Sequence, residues 1–441
     1  MPESSVDRTE AALAQCEERG EALHAFAEIM PERARSAARY LDELKSSGVS
    51  LGPLHGVPLV VKDIIDVAGL ATKAGSLTRA NAGPAERDAF VVARLRAAGG
   101  VIVAKSNTVE YAFGGWGTNP NIGAPRNPWK LDVPHTCGGS SSGTGAAVGG
   151  GLVPGGLGSD TGGSVRIPAA LCGCVGLKTS IGLVSRSGVV PLSDTLDTVG
   201  PLTNTVRLAA EMLDVMQGED RDDPTTVGIA RQDPLAGLER GISGLRLAAV
   251  PVDDLPGLTA DVAADYAAAK ATLAGLGAVV EEMSLPLSMQ EYQNRSSLIS
   301  ASDAYAFHSA LADDPDSPLN PATRKRMLVG KSLSAKDRVL IQRDRVTATE
   351  DYLAWLDRFD AVILPSVPLT AIPLSEVDED NYIVSLYTRF ANYLALAGLS
   401  VPMGLSPAGL PTSLQIVVRR FDDPLALRIG HAYEMARGTL K

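Results

Sequence analysis

Histidine and cysteine are both scarce in this chain. Among 441 residues there are five histidines, His24, His55, His135, His308 and His431, and four cysteines, Cys16, Cys137, Cys172 and Cys174. Cysteines so spaced make neither a disulfide framework nor a zinc ribbon. Cys172-Gly-Cys174 has no histidine or further cysteine at ligand spacing, so buried thiols are expected there rather than a metal or redox pair. No histidine sits in a recognisable triad motif, which leaves a serine nucleophile without its usual base. Basic charge is also in deficit. The chain has 40 Lys and Arg against 51 Asp and Glu, a formal charge of −11. That excludes broad electrostatic binding to nucleic acid but not a small basic pocket. No apolar run is long enough to span a bilayer. The opening MPESSVDRTEAALAQ lacks the basic start and apolar run of a secretory leader. A cytoplasmic protein without a membrane partner is expected. No repeat of fixed period and no low-complexity linker interrupts the chain.

What is present begins with enough apolar matter, 45% of residues, for a sizeable core. TEAALAQCEERGEALHAFAEI spaces Ala and Leu as helices do. The segment from Val57 to Val61 is β-branched and apolar and reads as a buried strand. RDAFVVARLRAAGG is an amphipathic helix stopped by two glycines, and VIVAK after it is a short buried strand. This alternation is the rhythm of an α/β protein. It recurs in GLRLAAVP, TADVAADYAAAKATLAGLG and AVVEEMSLP, and again in YLAWLDRFDAVILPSVP. Residues 107–188 break the rhythm. They are rich in Gly, Ser, Asn and Pro, the composition of loops that carry chemistry. The acidic EVDEDN near Glu376 reads as a solvated loop. Nothing divides the chain into independent domains. A single domain over 1–441 is expected, with a catalytic core at about 50–205 and a variable, pocket-forming or cap region at about 206–378.

Two glycine-serine clusters carry the chemistry, CGGSSSGTGAAVGGG from Cys137 and GSDTGGSVRIP from Gly158. A phosphate-binding loop needs Gly-Lys-Ser/Thr, and no lysine occurs between Lys130 and Lys178. The dinucleotide fingerprint lacks its clean preceding strand and its following acidic residue. Gly139-Ser140-Ser141-Ser142-Gly143 matches a nucleophile elbow only with the serine shifted by one position. A serine nucleophile here needs a base other than histidine, and lysine can serve. Lys62 lies in the apolar run PLVVKDIID. Most lysines are solvated, but one in an apolar run either snorkels to water or is buried for a purpose. To act near neutrality it must fall from ~10.4 by about three units, or about 4 kcal/mol.

These residues resemble the amidase signature family. GVPLVVKDIIDVAGLATKAGS is similar to the lysine-bearing segment of that family. GGSSSGTGAAVGGGLVPGGLGSDTGGSVRIPAALCGCVGLKTS resembles the signature nearly end to end, and LDTVGPLTNTV continues it. FDAVILPSVP, LAGLSVPMG and GLPTSLQIVVRRFDD are similar to the closing segments. The resemblance implies an α/β fold, with one large twisted mixed sheet covered by helices on both faces. It also implies Ser164 as nucleophile, Ser140 as bridging serine after a cis Gly139-Ser140 bond, and Lys62 as base. The amides of Thr161, Gly162, Gly163 and Ser164 form the implied oxyanion hole. No metal and no organic cofactor is implied.

The neighbours are expected to support the site. Ser141 and Ser142 are assigned hydrogen-bonding roles, and Asp160 and Arg166 a buried ion pair that shapes the loop. Arg166 as a clamp for a substrate carboxylate is the sharper alternative. Tyr111, Phe113 and Trp116 either line an apolar substrate pocket or fill the core. The expected partner is a small amide, with aryl amides or carbamates favoured by an aromatic pocket, and a homodimer is left open. Three alternatives stand beside this reading: an amidotransferase A-type subunit releasing ammonia from glutamine, a hydrolase of small amides or urea derivatives, and a non-catalytic binding protein on the same scaffold.

Overall fold

Helix starts in this chain follow ordinary capping chemistry. In the computed structural model, which describes residues 4–440, Ser4 and Asp7 form a capping box on the helix Ser5–Leu23. Ser288 with Glu291 and Ser334 with Asp337 do the same for Met289–Asp313 and Ala335–Leu356. The first helix stops earlier than its Ala/Leu spacing suggests. His24 takes a left-handed conformation, φ 49°, and Phe26–Ile29 becomes an edge strand, β1. Pairing with a neighbouring strand overrides the local helical pattern there.

The remaining strands are β2 (Pro58–Lys62), β3 (Val101–Ser106), β4 (Gly155–Asp160), β5 (Val175–Lys178) and β6 (Thr198–Thr203). They continue as β7 (Arg246–Ala249), β8 (Val279–Glu282), β9 (Ala361–Pro365), β10 (Ala397–Leu405) and β11 (Pro411–Val418). All eleven join one sheet in the order β1-β3-β2-β4-β6-β5-β10-β11-β9-β7-β8. The sheet is mixed. β2 runs parallel to β3 and β4, and β7 parallel to β8 and β9, while β4, β5, β6, β10 and β11 pair antiparallel in succession with their other neighbours. Residues 206–378 therefore supply three strands of the common sheet as well as helices.

Both faces are packed. Along β2, Leu59 and Val61 enter the larger core cluster and Val60 the smaller one, as period-two alternation requires. Helices such as Val206–Met216 and Asp423–Arg437 supply the first cluster; Ser5–Leu23 and Ser142–Gly149 supply the second.

The glycine-rich stretch is the main departure from the expected loops. β4, GGLGSD, is a fully buried central strand. Its glycines are there for close approach. A Cβ on Gly156 would lie 2.5 Å from Val60 Cγ2, and one on Gly158 would lie 2.7 Å from Ser141 Oγ. Bare backbone lets the segment that carries Ser140–Ser142 lie directly on the sheet. EVDEDN is also not simply solvated: Glu379 accepts bonds from Arg326 and Thr118, and Asp380 pairs with Lys325.

Candidate active site

β2 and β4 lie side by side and parallel, with Val61 opposite Leu157. Their C-terminal ends open on the same edge of the sheet, the usual place for a site in a parallel sheet. Lys62 is the last residue of β2. Its Nζ lies 2.7 Å from Ser140 Oγ and 2.8 Å from Ser159 Oγ. The side chain is wholly buried, and among the described residues no carboxylate pairs with it. Burial pushes its pKa down to about 7, against the opposing pull of Asp197 and Asp160.

Ser140 follows a cis Gly139–Ser140 bond. Its carbonyl accepts from Thr108 Oγ1 at 2.8 Å and from the Val109 amide at 3.2 Å. Gly139 has no room for a side chain, since a Cβ would sit 2.7 Å from the Gly117 nitrogen. Ser141 Oγ lies 3.3 Å from the Ser159 amide, which donates to it. Ser142 differs from the hydrogen-bonding role expected of it: its buried Oγ has no partner among the described residues.

Ser164 stands in the turn between β4 and the helix Arg166–Cys172. It is 7% exposed. With Thr161 and Gly162 it forms part of the wall of a cavity of about 190 Å³. The turn is built around Asp160. One carboxylate oxygen accepts from the Gly163 amide at 2.8 Å, from Arg166 Nη2 at 2.9 Å and from Asn392 Nδ2 at 2.8 Å. The other accepts from the Val165 amide at 3.2 Å and from Arg166 Nε at 2.9 Å. Burial opposes the charge on Asp160, but the Arg166 guanidinium overcomes it and holds the carboxyl well below the usual range.

Two expectations need correction. The Gly163 amide points at Asp160 and is not free to hold an oxyanion, because the carboxylate that shapes the turn occupies it. The amides of Thr161, Gly162 and Ser164 make no bond to the described residues. Arg166 cannot clamp a substrate. It is fully buried and also bonded to Thr388, Gln415 and Asn392, so its donors are satisfied inside the protein.

The aromatic trio divides. Phe113 and Trp116 line the cavity with Ser164, and Trp116 Nε1 is tethered to the Asn381 carbonyl at 2.7 Å. Tyr111 does not line it. It lies in the core at φ 49°, its hydroxyl 2.6 Å from Thr78 Oγ1 and its ring against His308. All four cysteines are free and buried. Among the described residues, no helix is long and apolar enough to cross a membrane.

Three residues of the site were not legible beforehand. Ser159, the second partner of Lys62, would have been found only by knowing that β4 pairs with β2. Asp197 accepts from Thr161 Oγ1 at 2.5 Å and from the amides of Leu192 and Ser193. Arg389 enters the cavity wall from a distant segment. Arg389 lies in no motif, and Asp197, although inside LDTVGPLTNTV, gives no sign in the sequence that it meets Thr161.

Known proteins are similar to this chain over nearly its whole length. The sequence model of the Amidase family matches residues 7–427. The A-type subunit of a glutamyl-tRNA(Gln) amidotransferase from Anaeromyxobacter sp. (strain K) is 38% identical, over 99% of this chain and 94% of its own. Among solved structures, an inhibitor-bound member of a vestigial protein complex, one that bears on the origins of an s-triazine catabolic enzyme, superposes with a TM-score of 0.93. It is 30% identical and covers 99% of this chain and 96% of its own. The peptide amidase of Stenotrophomonas maltophilia superposes at 0.86 with 28% identity, over 99% and 94% of the two chains.

Proposed function

Because the chain belongs to the Amidase family, whose members cleave amide C–N bonds, we propose that it hydrolyses small amides through an acyl-enzyme on Ser164. The observation that carries this reading is the contact of buried Lys62 with Ser140 at 2.7 Å. A lysine held near pH 7 by burial is neutral often enough to take a proton.

Neutral Lys62 accepts the proton of Ser140, and Ser140 accepts that of Ser164. Ser164 Oγ attacks the carbonyl carbon. The oxygen of the resulting tetrahedral intermediate is stabilised by the free amides of Thr161, Gly162 and Ser164, donors fixed in place before reaction. Collapse breaks the C–N bond, and the relay returns a proton to the departing nitrogen. Water then attacks the Ser164 ester, gives its proton to the same relay, and releases the acid. In this structure the Ser140 and Ser164 hydroxyls are not hydrogen-bonded to each other. Such contacts commonly tighten only around a bound substrate.

Phe113 and Trp116 on the cavity wall support aryl amides or carbamates among the substrates. The relatives named as A-type subunits of an amidotransferase support a second reading, in which the same serine releases ammonia from glutamine for a partner protein.

A panel of anilides, aryl carbamates, small primary amides and glutamine tests both, with arylamine and ammonia scored in parallel. Arylamine or ammonia from non-glutamine amides, abolished by Ser164→Ala, is the expected result. Ammonia from glutamine alone supports the second reading. Turnover that survives Ser164→Ala overturns the assignment of the nucleophile.

A further inference from the structure

The cavity beside Ser164 carries charge of one sign only. Lys325, Arg326 and Arg389 line it, and among the described residues no aspartate or glutamate does. Two of these cations are paired with carboxylates that do not themselves line the cavity. Lys325 Nζ lies 2.7 Å from Asp380, and Arg326 pairs with Glu379 while donating to the Phe113 carbonyl at 2.7 Å. Arg389 is different. Among the described residues its one hydrogen bond is from Nε to Ser385 Oγ at 3.1 Å, and no carboxylate pairs with it. Both terminal nitrogens are left without an acceptor there.

That guanidinium lies against the reactive turn. A Cβ built on Gly162 would be 3.4 Å from both Cζ and Nη1 of Arg389. Burial, helped by repulsion from Arg326, pushes its pKa down to about 10, so it stays charged at neutral pH. Arg389 is half-buried and its unpaired terminal nitrogens open on the cavity, where an anionic group would complete their bonding. The planar fork of arginine matches a carboxylate through two parallel bonds.

Building on the amide-hydrolase reading above, we propose that Arg389 binds substrate, and that the substrate is a small amide with a carboxylate a few bonds from its scissile carbonyl. The absence of any carboxylate on the described wall adds a restriction. An ammonium group on the same molecule would meet the unpaired charge of Arg389 and find no carboxylate on the wall to bind it. The site therefore favours a purely anionic amide over a zwitterion such as glutamine. The clamp considered for Arg166 from the sequence belongs to Arg389, because Arg166 is satisfied within the protein and Arg389 is not.

The test separates binding from turnover. Ser164→Ala protein is titrated by calorimetry with succinamate and with succinamide, its neutral counterpart of equal length. Succinamate is expected to bind at least about 10-fold tighter, the range of a charge-assisted hydrogen bond. Adding Arg389→Met is expected to erase that difference, and Arg389→Lys, which keeps the charge but not the fork, to narrow it. With active enzyme, the ratio of kcat/KM for succinamate over succinamide should fall about 10- to 100-fold in Arg389→Met. Equal affinity for the two probes, undetectable binding of succinamate, or a preference that survives Arg389→Met overturns the inference. Should Arg389→Met fail to fold, as judged by its melting curve, Arg389→Lys decides, and an undiminished preference there overturns it as well. Succinamate binding without hydrolysis of any amide would sink the amidase reading and leave the anion site standing.

Discussion

Lys62 joins two properties that usually exclude each other, full burial and direct contact with hydroxyl groups. Burial disfavours its charged form, and the serine hydroxyls of Ser140 and Ser159 solvate the neutral amine in place of water. Activity should follow from this. With Lys62 as base, kcat/KM is expected to rise with pH through about 7 and then level off. A profile flat from pH 5 to 9 with chemistry rate-limiting would reject lysine as the base. Lys62→Arg, which stays protonated, should be inactive across the whole range. Stability carries the same signature. The folded pKa lies below that of the unfolded chain, so unfolded protein binds more protons between about pH 7 and the ordinary lysine range. Stability should therefore increase with pH over that window. Lys178, also buried and also shifted down, acts in the same direction. Urea titrations at pH 7 and pH 9 are expected to show a smaller difference for Lys62→Met than for the parent protein.

At the scale of elements, β4 and the turn after it hold the site by having no side chains where contact is closest. Gly163 has φ 124°, and a Cβ there would lie 2.2 Å from Thr388 Oγ1. Gly163→Ala should displace the amides of Thr161–Ser164 and lower kcat by about 100-fold or more, the cost of a lost oxyanion donor. Circular dichroism should still report a folded protein; wild-type kcat in a folded Gly163→Ala would remove the turn from the mechanism. β4 also explains why this region resisted reading as secondary structure. Glycine is a poor strand former, and GGLGSD carries none of the β-branched alternation that marks β2. It is a strand because its neighbours on both sides are strands and because the helix Ser142–Gly149 needs a surface it can touch. Knowing that β2 runs parallel to β4 would have brought the C-terminal ends of both strands, which carry Lys62 and Ser159, to one edge of the sheet.

At the scale of the molecule, the reactive turn is anchored by residues from the far end of the chain. Asn392 both donates to Asp160 and accepts from Arg166, at 2.8 and 2.6 Å, and Gln415 of β11 accepts from Arg166 at 2.6 Å. The whole sheet must be assembled before Ser164 is held. Asp160→Asn leaves the Arg166 charge buried and unpaired. It should destabilise the protein by about 3–5 kcal/mol in chemical denaturation and reduce kcat as well. Asn392→Ala, which removes one member and keeps the ion pair, should have a smaller effect on both. An Asp160→Asn protein as stable as its parent would mean that the pair is not the anchor of the turn.

The family and the α/β class were readable from the order of residues, and the resemblance to that family singled out Lys62, Ser140 and Ser164, of which the fold brings Lys62 against Ser140 and sets Ser164 on the cavity wall. Tertiary structure alone decided the rest. It turned the Gly163 amide toward Asp160, closed Arg166 within the protein, sent Tyr111 to the core, and brought Arg389 to the cavity wall with its terminal donors free. The reason is physical. Whether a charged group serves structure or substrate depends on which partners surround it, and three of those that close Arg166 within the protein, Thr388, Asn392 and Gln415, lie more than 200 residues away in the chain.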